Sequence, residues 1–140
     1  MRNVKNILKL ADFIESEKYQ FDMRDSSATP SCGTAGCIGG HAAVLWKEVR
    51  QYWSDTKRTE FGFNQDMLIK NLGLRFSDMN TLCFTPRTSS GVLLDYDDIT
   101  RTHAVEALRH LAKTGKVRFL RRLPKKESST AVAAQQGDTP

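Results

Sequence analysis

The sequence predicts an all-α fold, or nearly so: a compact bundle of four to five helices with a disordered C-terminal tail. Three observations carry this. Apolar residues recur at three- and four-residue spacing in several separate segments. Capping residues and glycines bracket those segments, and strand-like alternation is almost absent.

In NVKNILKLADFIESE, Val4, Ile7, Leu8, Ala11 and Ile14 share one face behind Asn3, a good N-cap, which predicts a helix over about 3–16. KYQFDMRDSSATPS has too little periodicity for a helix, and Pro30 biases Thr29 toward an extended conformation. A loop is expected there, with Phe21 and Met23 turned inward. From Thr34 onward Ile38, Ala42, Leu45, Val49 and Tyr52 or Trp53 line one face, predicting a second helix to about residue 52 with Ser31 or Thr34 as its cap. Gly36, Gly40 and Ala43 lie on a neighbouring face. Glycine inside a helix costs about 1 kcal/mol relative to alanine, so glycines here imply close approach of another backbone.

SDTKRTEFGFN reads as a polar loop. NQDMLIKNLGL predicts a short helix closed by Gly73, and FSDMNTLCFTP another, with Ser77 or Asp78 near its start and Pro86 just beyond its end. RTSSGVLLDYDD is the best place for an extended segment, with at most a small β element near 91–96 and again near 116–120. ITRTHAVEALRHLAKTG then carries every helix signal: Thr100 as cap, Ile99 against Ala104 as staple, Gly115 as stop, and a stripe of Val105, Leu108, Leu111 and Ala112. The small and polar residues after Pro124 cannot bury enough apolar area to offset chain entropy. Residues 1–124 are therefore expected to form a single helical domain and 125–140 a disordered tail.

At 39% hydrophobic and 26% charged residues, the chain falls among globular proteins rather than fibrous or disordered ones. No stretch approaches the roughly 18 apolar residues of a membrane span, and Asp12 interrupts any signal-peptide core. A cytoplasmic location is expected. Cys32, Cys37 and Cys83 are an odd number of cysteines in a chain too large to depend on disulfides, which favours reduced thiols. The net charge of +5 is local: Lys113, Lys116, Arg118, Arg121, Arg122, Lys125 and Lys126 fall in one run without an acid, leaving 14 basic against 16 acidic residues elsewhere.

Two places could carry chemistry. In SCGTAGCIGGHAA, Cys32 sits where a helix N-terminus would stabilise a thiolate, with His41, His103 and His110 as the available bases. The same stretch spaces Cys32, Cys37 and His41 as C-x4-C-x3-H, a possible zinc set needing Cys83, His103 or His110 as fourth ligand. The simpler reading treats Cys37, Gly36 and Gly40 as packing residues, cysteine being a small hydrophobe. On that reading no residue is catalytic, no metal is held and no cofactor is needed. The second place, KTGKVRFLRRLPKK, interleaves its seven cations with Val117, Phe119, Leu120 and Leu123. It would suit nucleic-acid phosphates, an acidic protein or an anionic membrane surface, or serve as a solubilising tail.

CGTAGCIGGHAA at 32–43, NLGL at 71–74, LCFTP at 82–86 and ITRTHAVEALRHLAKTGKV at 99–117 together resemble a group of small uncharacterised phage and prophage helical proteins. Their shared elements are CGTxxCxxGxA, an LGL…LFxP unit and a closing helix of the form IT…A…LxxLAxTGxV. The likeness spans about residues 4–117. It implies a phage or prophage origin, and because tryptophan commonly stands where this chain has His41, it implies packing at that position rather than ligation. The expected function is a non-enzymatic binding protein that contacts a host macromolecule, a host protein above all, such as an inhibitor of a host defence system. The alternatives are a DNA- or RNA-associated accessory protein using residues 113–126, and a small zinc- or thiol-dependent enzyme centred on Cys32, Cys37 and His41.

Overall fold

Asn3 accepts a hydrogen bond from the Asn6 N–H at 3.0 Å and so caps α1 (Val4–Glu15), whose Ile7, Leu10, Ala11 and Ile14 are buried. At the other end of the chain Thr100 caps α5 (Arg101–Thr114). Its side chain takes the His103 N–H while His103 Nδ1 takes the Thr100 N–H, a capping box with histidine in the usual glutamate place. Gly115, at φ +82°, stops α5 in the left-handed region. The computed structural model describes residues 2–30, 33–52, 60–88 and 91–119. The tail expected over 125–140 lies outside the described residues.

α1 and α5 pack side by side and run antiparallel. Arg2, just before α1, donates to Ala112 O at the end of α5, whereas Arg101, at the start of α5, donates to Ile14 O in the last turn of α1 and to Tyr19 O beyond it. Between these ties Arg109 reaches Asp12 at 3.0 Å and Glu15 at 2.6 Å. α2 (Ile38–Leu45), α3 (Gln65–Leu72, capped by Asn64 and closed by Gly73) and α4 (Phe76–Cys83) complete the helices. One core joins them, drawing Ile7, Leu10, Ile38, Leu68, Leu72, Met79, Leu82, Leu108 and Leu111 from all five.

The fold is mainly helical but not strictly all-α. β1 (Gln20–Phe21) pairs in parallel with β2 (Thr34–Gly36), and β3 (Arg50–Gln51) pairs antiparallel with β4 (Gly62–Phe63). Strands of two or three residues are too short to show alternation, so these positions read as loop or helix in the sequence. The expected helix over 34–52 is correspondingly cut to Ile38–Leu45. Gly36 takes φ +68°, which no right-handed helix contains, and the Cys37 N–H bonds Asp25 O at 2.8 Å instead of a helical carbonyl. Cys37 is the N-cap, without a side-chain cap bond, in place of Thr34; Ser31 lies outside the described residues. At the far end the Arg50 guanidinium takes the Ala43 and Val44 carbonyls at 2.8 and 3.1 Å, which satisfies acceptors that a longer helix would have used. Ser77 and Asp78 fall in the first turn of α4, as expected near its start; Arg75 is the N-cap, and Asp78 pairs with it at 3.0 Å. Among the described residues near 91–96 and 116–119 there are single bridges only, Arg87 with Leu93 and Thr88 with Phe119.

Candidate functional site

The cysteine element is built on tight backbone contacts. Asp25 Oδ1 accepts from the Ser27 N–H and hydroxyl at 2.9 and 2.6 Å, a local turn that aims the Asp25 and Ser27 carbonyls at Gly36. A Cβ at Gly36 would collide with both oxygens, one at Gly40 would collide with Ala35 O, and one at Gly39 would enter the Phe63 ring. Cys37 and Cys83 are both free thiols and buried. Burial pushes the Cys37 thiol up, against the N–H groups of Gly40 and Gly39 that favour the thiolate; burial and the neighbouring Cys37 sulfur push Cys83 well up. Cys32 lies outside the described residues.

His41 is 1% exposed and lies between the Phe13 and Phe21 rings, at centroid distances of 6.0 and 5.6 Å. Its Nδ1 is 3.0 Å from Cys37 O; a carbonyl only accepts, so Nδ1 carries the proton and donates. Nε2 is buried without a hydrogen-bond partner among the described residues. Burial holds the imidazole below its ordinary pKa, and the Arg101 charge acts in the same direction. His103 is occupied in the α5 capping box, and His110 lies in the last turns of α5. Among the described residues no group of three or more His, Cys, Asp or Glu side chains is placed to hold a metal ion.

A cavity of about 500 Å³ lies where β1 meets the start of α5, lined by Asp22, Arg24, Asp97, Thr100 and Arg101 among others. Its charges are matched internally. Arg24 pairs with Asp22 at 3.3 Å and Asp97 at 3.1 Å, and its hydrogen bond holds the Asp22 carboxyl below the usual range. Arg101 is committed to Ile14 O and Tyr19 O.

The basic run behaves differently. Phe119 is buried, and its N–H donates to Arg87 O at 2.9 Å, so the chain after α5 is docked on the core through residue 119. That docking turns Lys116 and Arg118 into a cleft of about 290 Å³ whose other walls carry Arg75, Asp78 and Thr81 from α4 and its cap, and Arg87. Four cations thus converge from three segments of the chain with one acid, Asp78, which is already paired with Arg75. Arg2 stands at the rim, its Nη1 2.9 Å from where a Cβ on Gly115 would be, and exposed Lys113 lies one turn back on α5. Arg121, Arg122, Lys125 and Lys126 lie outside the described residues.

Arg2, Arg75 and Arg87 were not marked by the sequence pattern. Each is a single basic residue outside a helix; the packing of α4 and residue 119 on the core links Arg75 and Arg87 to residues 116–118, and the bond of Arg2 to Ala112 O brings it beside Gly115. No described helix is long and apolar enough to cross a membrane. Comparison with protein-family models, curated proteins and solved structures found no match for this chain.

Proposed function

We propose that the protein is a non-enzymatic binding module, of phage or prophage type, that engages host nucleic acid in the cytoplasm through the basic cleft at the end of α5. One observation carries this reading: Arg75, Arg87, Lys116 and Arg118 come from separate segments to line one cleft with a single, already paired acid. A solubilising tail has no need of arginines recruited from α4 and the segment after it. Cations gathered on one face draw phosphates by releasing condensed counterions, and guanidinium groups match phosphate oxygens two at a time. The two described thiols, Cys37 and Cys83, are buried, and in the cavity at the start of α5 Arg24 is paired with Asp22 and Asp97, so neither place offers unpaired cations as the cleft does.

Fluorescence anisotropy with labelled oligonucleotides between roughly 50 and 200 mM salt tests the reading. Replacing Arg87, Lys116 and Arg118 by alanine is expected to weaken binding alike across unrelated sequences and to lower the salt slope by about 0.7 to 0.9 units for each lost phosphate contact. A folded triple variant that keeps the parent's affinity and slope would refute it. In that case a host protein partner contacted elsewhere becomes the better account.

A further inference from the structure

We infer that Arg2 is a fifth cation of this cleft, masking the negative end of α5 and offering its Nη1 to a phosphate; this rests on the nucleic-acid reading of the same cleft. The last carbonyls of a helix together carry about half an elementary negative charge, which repels an anion brought beside them. Gly115, the residue that ends α5, lines the cleft, so a phosphate bound there lies next to those carbonyls. Their partners can be named one by one. The Gly115 N–H donates to Leu111 O at 2.8 Å, Arg2 Nε donates to Ala112 O at 3.2 Å, and Arg2 Nη2 reaches Lys113 O at 3.5 Å. Two of these three bonds therefore come from a residue 110 and 111 positions away, at the other end of the chain.

A full positive charge over a half negative one leaves this corner of the cleft net positive. The guanidinium is not used up by the carbonyls. Its Nη1 lies 2.9 Å from where a Cβ on Gly115 would be and has no acceptor among the described residues, and no described acid pairs with Arg2. Unused donors thus stand against a residue that lines the cleft, next in the chain to Lys116. Gly115 makes the room for them: at φ +82° it ends the helix, and without a Cβ it lets the guanidinium lie against the backbone. A strut between α1 and α5 needs the two carbonyl bonds alone. A cation with no counter-charge and with donors left over is what phosphate binding uses.

The test uses the full chain and a labelled oligonucleotide, with a thermal scan to show that each variant is folded at the temperature of the binding measurement. At roughly 50 mM salt Arg2→Gln is expected to bind about tenfold more weakly, the value of one charge-assisted hydrogen bond, and to lower the salt slope by about 0.7 to 0.9 units. Arg2→Lys keeps the charge without the paired grip on the carbonyls, and should return the slope to the parent value. Parent-like binding by a folded Arg2→Gln would overturn the inference. So would lost affinity at an unchanged slope, or a slope that Arg2→Lys does not restore, since either marks Arg2 as a strut only. Should Arg2→Gln not fold, the isotope-labelled parent answers instead: the Arg2 Nε–H resonance is expected to shift as oligonucleotide is added, and a resonance that stays in place while binding occurs sinks the idea. If Arg118→Ala lowers the slope where Arg2→Gln does not, the cleft reading stands without Arg2; if neither does, both fail.

Discussion

At the scale of single residues, His41 has the clearest consequence. Protonating it would place a charge between Phe13 and Phe21, near the Arg101 guanidinium, where Nε2 has no hydrogen-bond partner among the described residues. Its pKa in the folded chain is held below 6.5, the value expected for the unfolded chain. Above pH 6.5 both states are neutral and the histidine does not penalise folding. As pH falls below 6.5 the unfolded chain binds more protons, so stability is lost progressively down to the folded pKa, about 1.4 kcal/mol for each unit between the two values. Melting temperature should therefore drop between pH 7.5 and 5.5, and His41→Phe, which keeps a ring in the slot, should flatten that drop. An unchanged pH dependence in the variant would remove His41 as its source.

At the scale of elements, the junction between β2 and α2 is set by backbone contact. Gly33 and Gly36 both have positive φ, +80° and +68°, but a Cβ at Gly33 meets nothing within 4 Å, whereas at Gly36 it strikes two carbonyl oxygens. Gly33→Ala should cost only the left-handed strain of roughly 1–2 kcal/mol. Gly36→Ala should add overpacking of about 1–3 kcal/mol to the same strain, and Gly40→Ala should cost that overpacking alone, since a backbone oxygen cannot rotate away. Thermal melts should then rank Gly36→Ala lowest, by roughly 10 °C or more against the parent. Equal melting of all three would mean that the junction can open without loss. The glycine pattern made this closeness legible in the sequence, as the caps Asn3 and Thr100 and the stops Gly73 and Gly115 made their helix ends legible. The early end of α2 was not legible, because it depends on Arg50 reaching back to carbonyls six and seven residues earlier, and apolar periodicity continues through Val49 regardless.

At the scale of the whole molecule, the basic run is only part of the surface it belongs to. Lys116 and Arg118 could be named from the sequence because they sit in a run; Arg75 and Arg87 join them through tertiary structure alone. A synthetic peptide of residues 113–126 should therefore bind oligonucleotide with a salt slope shallower than that of the whole chain by roughly one to two units, the share of the two missing arginines. Equal slopes would mean that the arginines contributed by α4 and its neighbouring segment take no part. The peptide carries all seven cations of the run, so net charge alone predicts no deficit.

The antiparallel pairing of α1 with α5 also fixes an order of events during synthesis. Glu15 and Arg109, which bond at 2.6 Å, are 94 positions apart. At roughly 5–20 residues per second, a ribosome needs on the order of 5–20 s to make the chain between them. Throughout that interval the stripe of Ile7, Leu10, Ala11 and Ile14 has no α5 to cover it. Closing so long a loop costs only a logarithmic entropy penalty once α5 exists, so equilibrium stability suffers little, but the side of α1 that packs on α5 stays uncovered until nearly all of the core has been translated.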